Sequence, residues 1–261
     1  MTARVTIDIQ DHIADVRFNR PDKLNALDRE QIDAIIEAGK ELSAAKGVRA
    51  VVLSGNGDAF CAGLDMSLFQ PGNAVTTNLT DRSHGNANIF QHIVLQWRRL
   101  PAPVIAAVHG ACIGGGLQFA SAADIRIVHP AAKMSIMEMR WGLIPDMGSY
   151  ATWRNFVRDD VLRELTYTNR IFSGEEAGEL GFASHLSDDP HAKAMELARE
   201  IAGKNPHAIQ AAKRLINALP DMDEDAILMM ESREQDGVAS HPNQIEAVMA
   251  FMQKRAANFI D

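Results

Sequence analysis

The sequence predicts an α/β fold in which strand, turn and helix recur along most of the chain, followed by a run of helices. Three observations predict it. Val51-Val52-Leu53 and Val104 to His109 are continuous apolar runs, as in strands buried on both faces of a sheet. Each run leads into a glycine-bearing stretch: Ala59-Phe60-Cys61-Ala62-Gly63-Leu64-Asp65 after the first, and His109-Gly110-Ala111-Cys112-Ile113-Gly114-Gly115-Gly116-Leu117-Gln118 after the second. From about Ser173 onward helical spacing dominates, with breaks at Pro190, Pro206, Pro220 and Pro242.

The elements follow in order. Val5 to Gln10 and Ile13 to Asn19 alternate apolar and polar residues around Asp11-His12, which predicts a β-hairpin. Residues 20–27 read as a loop, and Asp28 as the N-cap of a helix over 29–46 with Ile32, Ile35, Ile36 and Leu42 at helical spacing. A strand spans Val48 to Ser54. Pro71 to about Gly85 is polar and weakly patterned, as in a mobile loop near a site. A helix over 86–99 ends before Pro101 and Pro103. The strand from Val104 feeds the triple glycine and a helix over 117–123; Asp124 to His129 and Lys133 to Met137 follow as strands, and a helix begins near Gly148. Ser173-Gly174-Glu175-Glu176 has the pattern of a capped helix start, and further helices are expected over 190–203, 206–218, 221–237 and 243–257. The division expected is a core at 1–190 that carries the site and a helical segment at 191–261. Met229-Met230 and Phe251-Met252 are either core residues or a subunit interface.

Composition sets bounds on function. The chain has 261 residues and a formal net charge of -8, which argues against a general nucleic-acid surface but leaves room for a local cationic pocket. The N-terminal stretch has neither the apolar region of a signal peptide nor the acid-free composition of a transit peptide, and no apolar run reaches the ~18 residues of a membrane span. A cytoplasmic protein without membrane association is expected. The two cysteines, Cys61 and Cys112, show no metal-ligand spacing and read as buried thiols, with a catalytic thiol as the alternative. No metal and no separate cofactor is expected.

The glycine stretches are the sharpest chemical signal. Each can present backbone N–H groups in a turn, and two such donors aimed at one point form an oxyanion hole. The triple glycine opens a helix, whose N-terminal dipole favours the same anionic oxygen, and it lacks the spacing of a dinucleotide-binding fingerprint. Glu138 is the lone carboxylate of an apolar stretch that includes Met137, Met139 and Trp141. It is either a desolvated proton shuttle or the partner of Arg140. Asp146, after Pro145, is an N-cap, a proton carrier or both. Gln118 can hydrogen-bond water or substrate but cannot act as an acid. His109, at a strand end, reads as structural.

In this order these residues resemble the crotonase superfamily, the enoyl-CoA hydratases and isomerases. The resemblance rests on Asn19-Arg20-Pro21 through Asn25-Ala26-Leu27, the first glycine stretch, the triple glycine through Ala123-Asp124-Ile125-Arg126, Gly142-Leu143-Ile144-Pro145, Phe172-Ser173-Gly174-Glu175-Glu176-Ala177, and Phe251-Met252-Gln253-Lys254-Arg255. It implies a spiral of strand-strand-helix turns with C-terminal helices, assembled as trimers or dimers of trimers. It also implies that the N–H groups of Leu64 and Gly115 hold an acyl-thioester oxygen, with Ala62 and Gln118 also at the substrate. By the same resemblance Lys23, Leu24, Ala26, Asp65 and Met66 line the adenine end of coenzyme A, and Phe251 and Lys254 reach the coenzyme A of a neighbouring subunit. Hydratases of this family carry one glutamate at the position of Gln118 and another at Glu138. This chain keeps the second alone, and Asp146 matches an acid of dienoyl-CoA isomerases.

Double-bond migration in an unsaturated acyl-CoA, with Glu138 as acid/base, is therefore expected. The alternatives are an enoyl-CoA hydratase, another chemistry of the same oxyanion hole, a non-catalytic acyl-CoA-binding protein, and a serine hydrolase using Ser67 or Ser135. Acyl-chain preference would depend on residues 66–90 and on Met134, Trp141 and Tyr150.

Overall fold

A computed structural model describes residues 3–70 and 78–261. Strands β1 (Val5–Gln10) and β2 (Ile13–Phe18) form the expected hairpin. Its turn residues Asp11 and His12 have φ of 48° and 66°, the left-handed pair whose twist matches the flanking strands. Asp28 caps α1 (Arg29–Ala44) by accepting from the Gln31 N–H.

One plan then repeats three times. β3 (Ala50–Gly55) leads to β4 (Ala59–Cys61) and α2 (Ile89–Arg99). β5 (Val104–Val108) leads to β6 (Ala111–Ile113) and α3 (Gly115–Ala122). β7 (Ile125–Val128) leads to β8 (Lys133–Ser135), α4 (Ser149–Trp153) and α5 (Asp159–Thr168). β9 (Phe172–Ser173), α6 (Gly174–Leu180) and β10 (His185–Leu186) follow, then α7 (Pro190–Ala202), α8 (Pro206–Ala218), α9 (Glu224–Val238) and α10 (Pro242–Met252). The first strand of each repeat enters a sheet of order β1-β2-β3-β5-β7-β10; the second enters a smaller sheet of order β4-β6-β8-β9. β3, β5 and β7 pair in parallel, as do β4, β6 and β8, with Cys61 opposite Cys112 and Cys112 opposite Met134. This is the expected spiral.

The step from the large sheet to the small one is made at Gly110, which has φ of 57°; a Cβ there would lie 1.8 Å from the Asp58 carbonyl oxygen. Only glycine permits that crossing.

The period of two in the large sheet divides the core. Val16, Val51, Leu53, Val104, Ala106 and Val108 pack towards α1, α2 and α3. Ile13, Ala50, Val52, Ile105, Ala107 and Ile127 face Ala194, Ala198 and Ala202 of α7. Alanines at four-residue intervals let that helix approach the strands closely. The division expected after residue 190 thus falls at the start of a helix that covers the sheet. No helix among the described residues is long and apolar enough to cross a membrane.

Several expectations shift. The helix expected at 117–123 starts at Gly115, and Gly114 is its N-cap. The last helix, expected to residue 257, ends at Met252. Residues 71–77 of the expected polar loop lie outside the described residues. Asp146 is not a cap: α4 begins after Gly148, with no side-chain cap bond. The backbone turns into the helix through the positive φ of Gly148, two residues later than the position a capping Asp146 would need.

Candidate active site

The first glycine stretch is held by the loop before α1. Ala62 donates to the Leu24 carbonyl at 2.9 Å, Leu27 to that of Gly63 at 2.8 Å, and Asp65 to that of Leu27 at 3.0 Å. Asn25, fully buried, donates to the carbonyls of Asn56 and Ala59, at 3.0 and 2.8 Å. The Leu64 N–H is left without an intramolecular partner among the described residues. The second stretch is fixed by the Gly114 N–H, which donates to Ser135 at 2.9 Å. Gly115, first residue of α3, has no earlier turn to accept its N–H. The two stretches press together at Gly63: with φ of 88°, a Cβ there would meet the Ile113 carbonyl oxygen at 2.8 Å and the Gly115 nitrogen at 3.4 Å.

These backbones border a cavity of about 220 Å³ whose walls include Ala62, Leu64, Met66, Gly115, Glu138 and Trp141. Glu138 stands at the start of the short 3₁₀ turn Glu138–Trp141 that follows β8. No ion pair joins it to Arg140, which is exposed. Instead Oε1 accepts from Gln118 Nε2 at 2.6 Å, while Oε2 is buried with no hydrogen-bond partner among the described residues. Burial raises the Glu138 pKa above the usual carboxylate range, and the Asp146 charge adds to the effect. Asp146, half-buried, is likewise raised by burial. An unpaired oxygen on a buried carboxylate in a cavity wall suits a group that exchanges protons with a ligand.

Gln118, 1% exposed, is turned onto protein partners. Besides donating to Glu138, it accepts on Oε1 from the Met147 N–H at 2.9 Å and from the Ser149 hydroxyl. Three of the four hydrogen-bonding positions of its amide are taken. Sequence reasoning missed Ser149, which no local signal connects to Gln118, 31 residues away.

The residues expected at coenzyme A sit around the first stretch. Lys23, Leu24 and Met66 are exposed and Ala26 is half-buried. Asp65 is spoken for: the Ser67 N–H and the Arg20 guanidinium, 2.6 Å away, hold its carboxyl down to about 2. Phe251 is 85% exposed at the end of α10, and Lys254 is exposed beyond it. Trp141 lines the cavity, whereas Met134 is fully buried in the core and Tyr150 is exposed.

Other readings lose their footing. Burial pushes the Cys61 thiol up to about 12 and raises that of Cys112 well above its ordinary value, so neither supplies a thiolate near neutral pH. Ser135 is buried and donates to the Asn169 carbonyl at 3.1 Å. His109 bonds the Gly57 carbonyl oxygen at 2.8 Å, the structural part expected of it.

Comparison with known proteins agrees with this geometry. The family model described as enoyl-CoA hydratase/isomerase matches residues 8–261. "Enoyl-CoA hydratase EchA19" of Mycobacterium tuberculosis is 33% identical over 95% of this chain and 93% of its own length. The mitochondrial Delta(3,5)-Delta(2,4)-dienoyl-CoA isomerase of Mus musculus is 31% identical over 94% of this chain and 78% of its own. The crystal structure of an enoyl-CoA hydratase from Bacillus anthracis superposes with a TM-score of 0.88 at 27% identity, covering 98% of each chain. The chain belongs to the enoyl-CoA hydratase/isomerase family of the crotonase superfamily.

Proposed function

We propose that this enzyme moves a carbon–carbon double bond in an unsaturated acyl-CoA. The thioester oxygen sits between the N–H groups of Leu64 and Gly115. Glu138 Oε2 takes a proton from the carbon beside the carbonyl, and the electron pair passes to the held oxygen. As the enolate collapses, the double bond moves and a proton returns at a carbon further along the chain, with Asp146 as the second proton-carrying carboxylate. Each donor of such a hole lowers the barrier by about 3 kcal/mol. A positioned carboxylate adds roughly 10²- to 10⁴-fold.

The observation that carries this reading is the state of Gln118. Hydration needs one group to activate water and another to deliver a proton. An amide can do neither, and this one is spent on Glu138, Met147 and Ser149. Relatives named as hydratases and as dienoyl-CoA isomerases both occur, so hydration is the second reading. The test is turnover of crotonyl-CoA, a 3-enoyl-CoA and a 3,5-dienoyl-CoA. The expected result is a shifted double bond in the last two and no water added to the first. Hydration of crotonyl-CoA at a rate that collapses in Glu138→Gln would overturn it.

We also propose a homotrimer or dimer of trimers. The exposed Phe251 and the neighbouring Met252, 73% exposed, support an intersubunit role for the end of α10, with Phe251 and Lys254 at a neighbour's coenzyme A.

A further inference from the structure

We propose that Gln118 and Ser149 form a brace that positions the two site carboxylates, so that Glu138 meets substrate through Oε2 alone. The proposal rests on Glu138 being the proton-moving group; it does not depend on whether the reaction is isomerisation or hydration.

The bonds have one consistent direction. A backbone N–H can only donate, so the Met147 N–H at 2.9 Å fixes which end of the Gln118 amide is oxygen. The Nε2 end is thereby turned to Glu138 Oε1, at 2.6 Å. Ser149 donates its hydroxyl to the same amide oxygen. The amide thus ties Glu138, on the turn after β8, to the segment that carries Asp146 and starts α4. Gln118 rides on the first turn of α3, the helix that presents the Gly115 N–H. One side chain, on the helix that presents the oxyanion donor, therefore hydrogen-bonds both the proton carrier and the residue that follows the second carboxylate. Gln118 and Ser149 are fully buried, which removes competing water.

The brace has an electrostatic consequence. A donor to Oε1 favours ionised Glu138, opposing burial and the Asp146 charge. Tyr150 also faces Glu138: burial raises its pKa, and the Glu138 charge adds to the effect. Removing the donor leaves Glu138 harder to ionise, so the base becomes competent only at higher pH.

The experiment is the pH dependence of kcat, with KM, for wild type, Gln118→Met, Ser149→Ala and Glu138→Gln, on whichever acyl-CoA the wild type turns over. Met fills the Gln volume without the bonds. The brace predicts a lower kcat, a KM near wild type, and an acid limb raised by about 1 pH unit in Gln118→Met. Ser149→Ala leaves the Met147 donor in place and should move the limb less, in the same direction. An unmoved limb in folded Gln118→Met overturns the brace. If that variant does not fold, an unmoved limb in Ser149→Ala does so. Full activity in Glu138→Gln is a different failure, that of the proton-moving role itself.

Discussion

Glu138 presents two oxygens in different circumstances: Oε1 is bound by Gln118, and Oε2 is buried with no hydrogen-bond partner among the described residues. That asymmetry turns a generic carboxylate into a directed one. Asp146 acts on it through charge, so the sign of its effect can be worked out. Its negative charge raises the Glu138 pKa, and its removal lowers it. In Asp146→Asn the acid limb of kcat should move to lower pH, opposite to the shift expected of Gln118→Met. A pH–rate profile from about pH 4 to about pH 8 reads both. An unchanged or raised limb in Asp146→Asn would show that the two groups do not interact as described. Glu138 is legible in the sequence because it is a lone carboxylate among apolar residues. The partners of Gln118 are not, since Met147 and Ser149 are brought to it by the turn into α4 and not by local spacing. The capping role considered for Asp146 fails for a similar reason: the positive φ of Gly148 sets where that helix begins.

Among the elements, strands buried on both faces announce themselves as continuous apolar runs, and β3 and β5 are found where such runs are. β4 and β6 have three residues each and lie inside the glycine-bearing stretches, so they do not stand out as strands in the sequence. The helix α5 has no such excuse of length. Asp159 and Asp160 in its first turn and Val161 and Leu165 on its buried side are the signal that could have found it. Gly110 is the element-scale joint on which the site depends, because it passes the chain from β5 to β6 and so aims the second glycine stretch. In Gly110→Ala the new methyl group would meet the Asp58 carbonyl in a backbone conformation that alanine resists. A loss of roughly 3 kcal/mol is expected, measured by chemical denaturation. A variant as stable as wild type would show that the crossing tolerates a side chain.

At the scale of the whole molecule, the C-terminal helices are joined to the core by more than α7. Lys213 of α8, 7% exposed, reaches the Asp124 carboxylate at 2.7 Å and the Ala102 carbonyl at 2.9 Å. Asp124 also accepts from the Val104 N–H at 2.7 Å, so the lysine bonds the very carboxylate that steadies the start of β5. Breaking a buried pair leaves a charge without its partner. Lys213→Met should therefore cost about 3 kcal/mol, the lower part of the usual range because the Asp124 side chain is 21% exposed. A denaturation midpoint equal to wild type would show that the pair contributes nothing net. The proline breaks made the helices of this region legible. Their attachment depends on long-range pairs such as Lys213 with Asp124, which no sequence period reveals.

The central claim is that Glu138 moves a proton on the carbon skeleton of an acyl-CoA whose carbonyl oxygen is held between Leu64 and Gly115. Its most direct test is the same substrate panel run in deuterated water, with products followed by mass and with Glu138→Gln alongside. Deuterium on carbon together with a shifted double bond and no added water is expected in the wild type, and neither change in the variant. Products that gain water, or deuterium uptake that persists in Glu138→Gln, would contradict it.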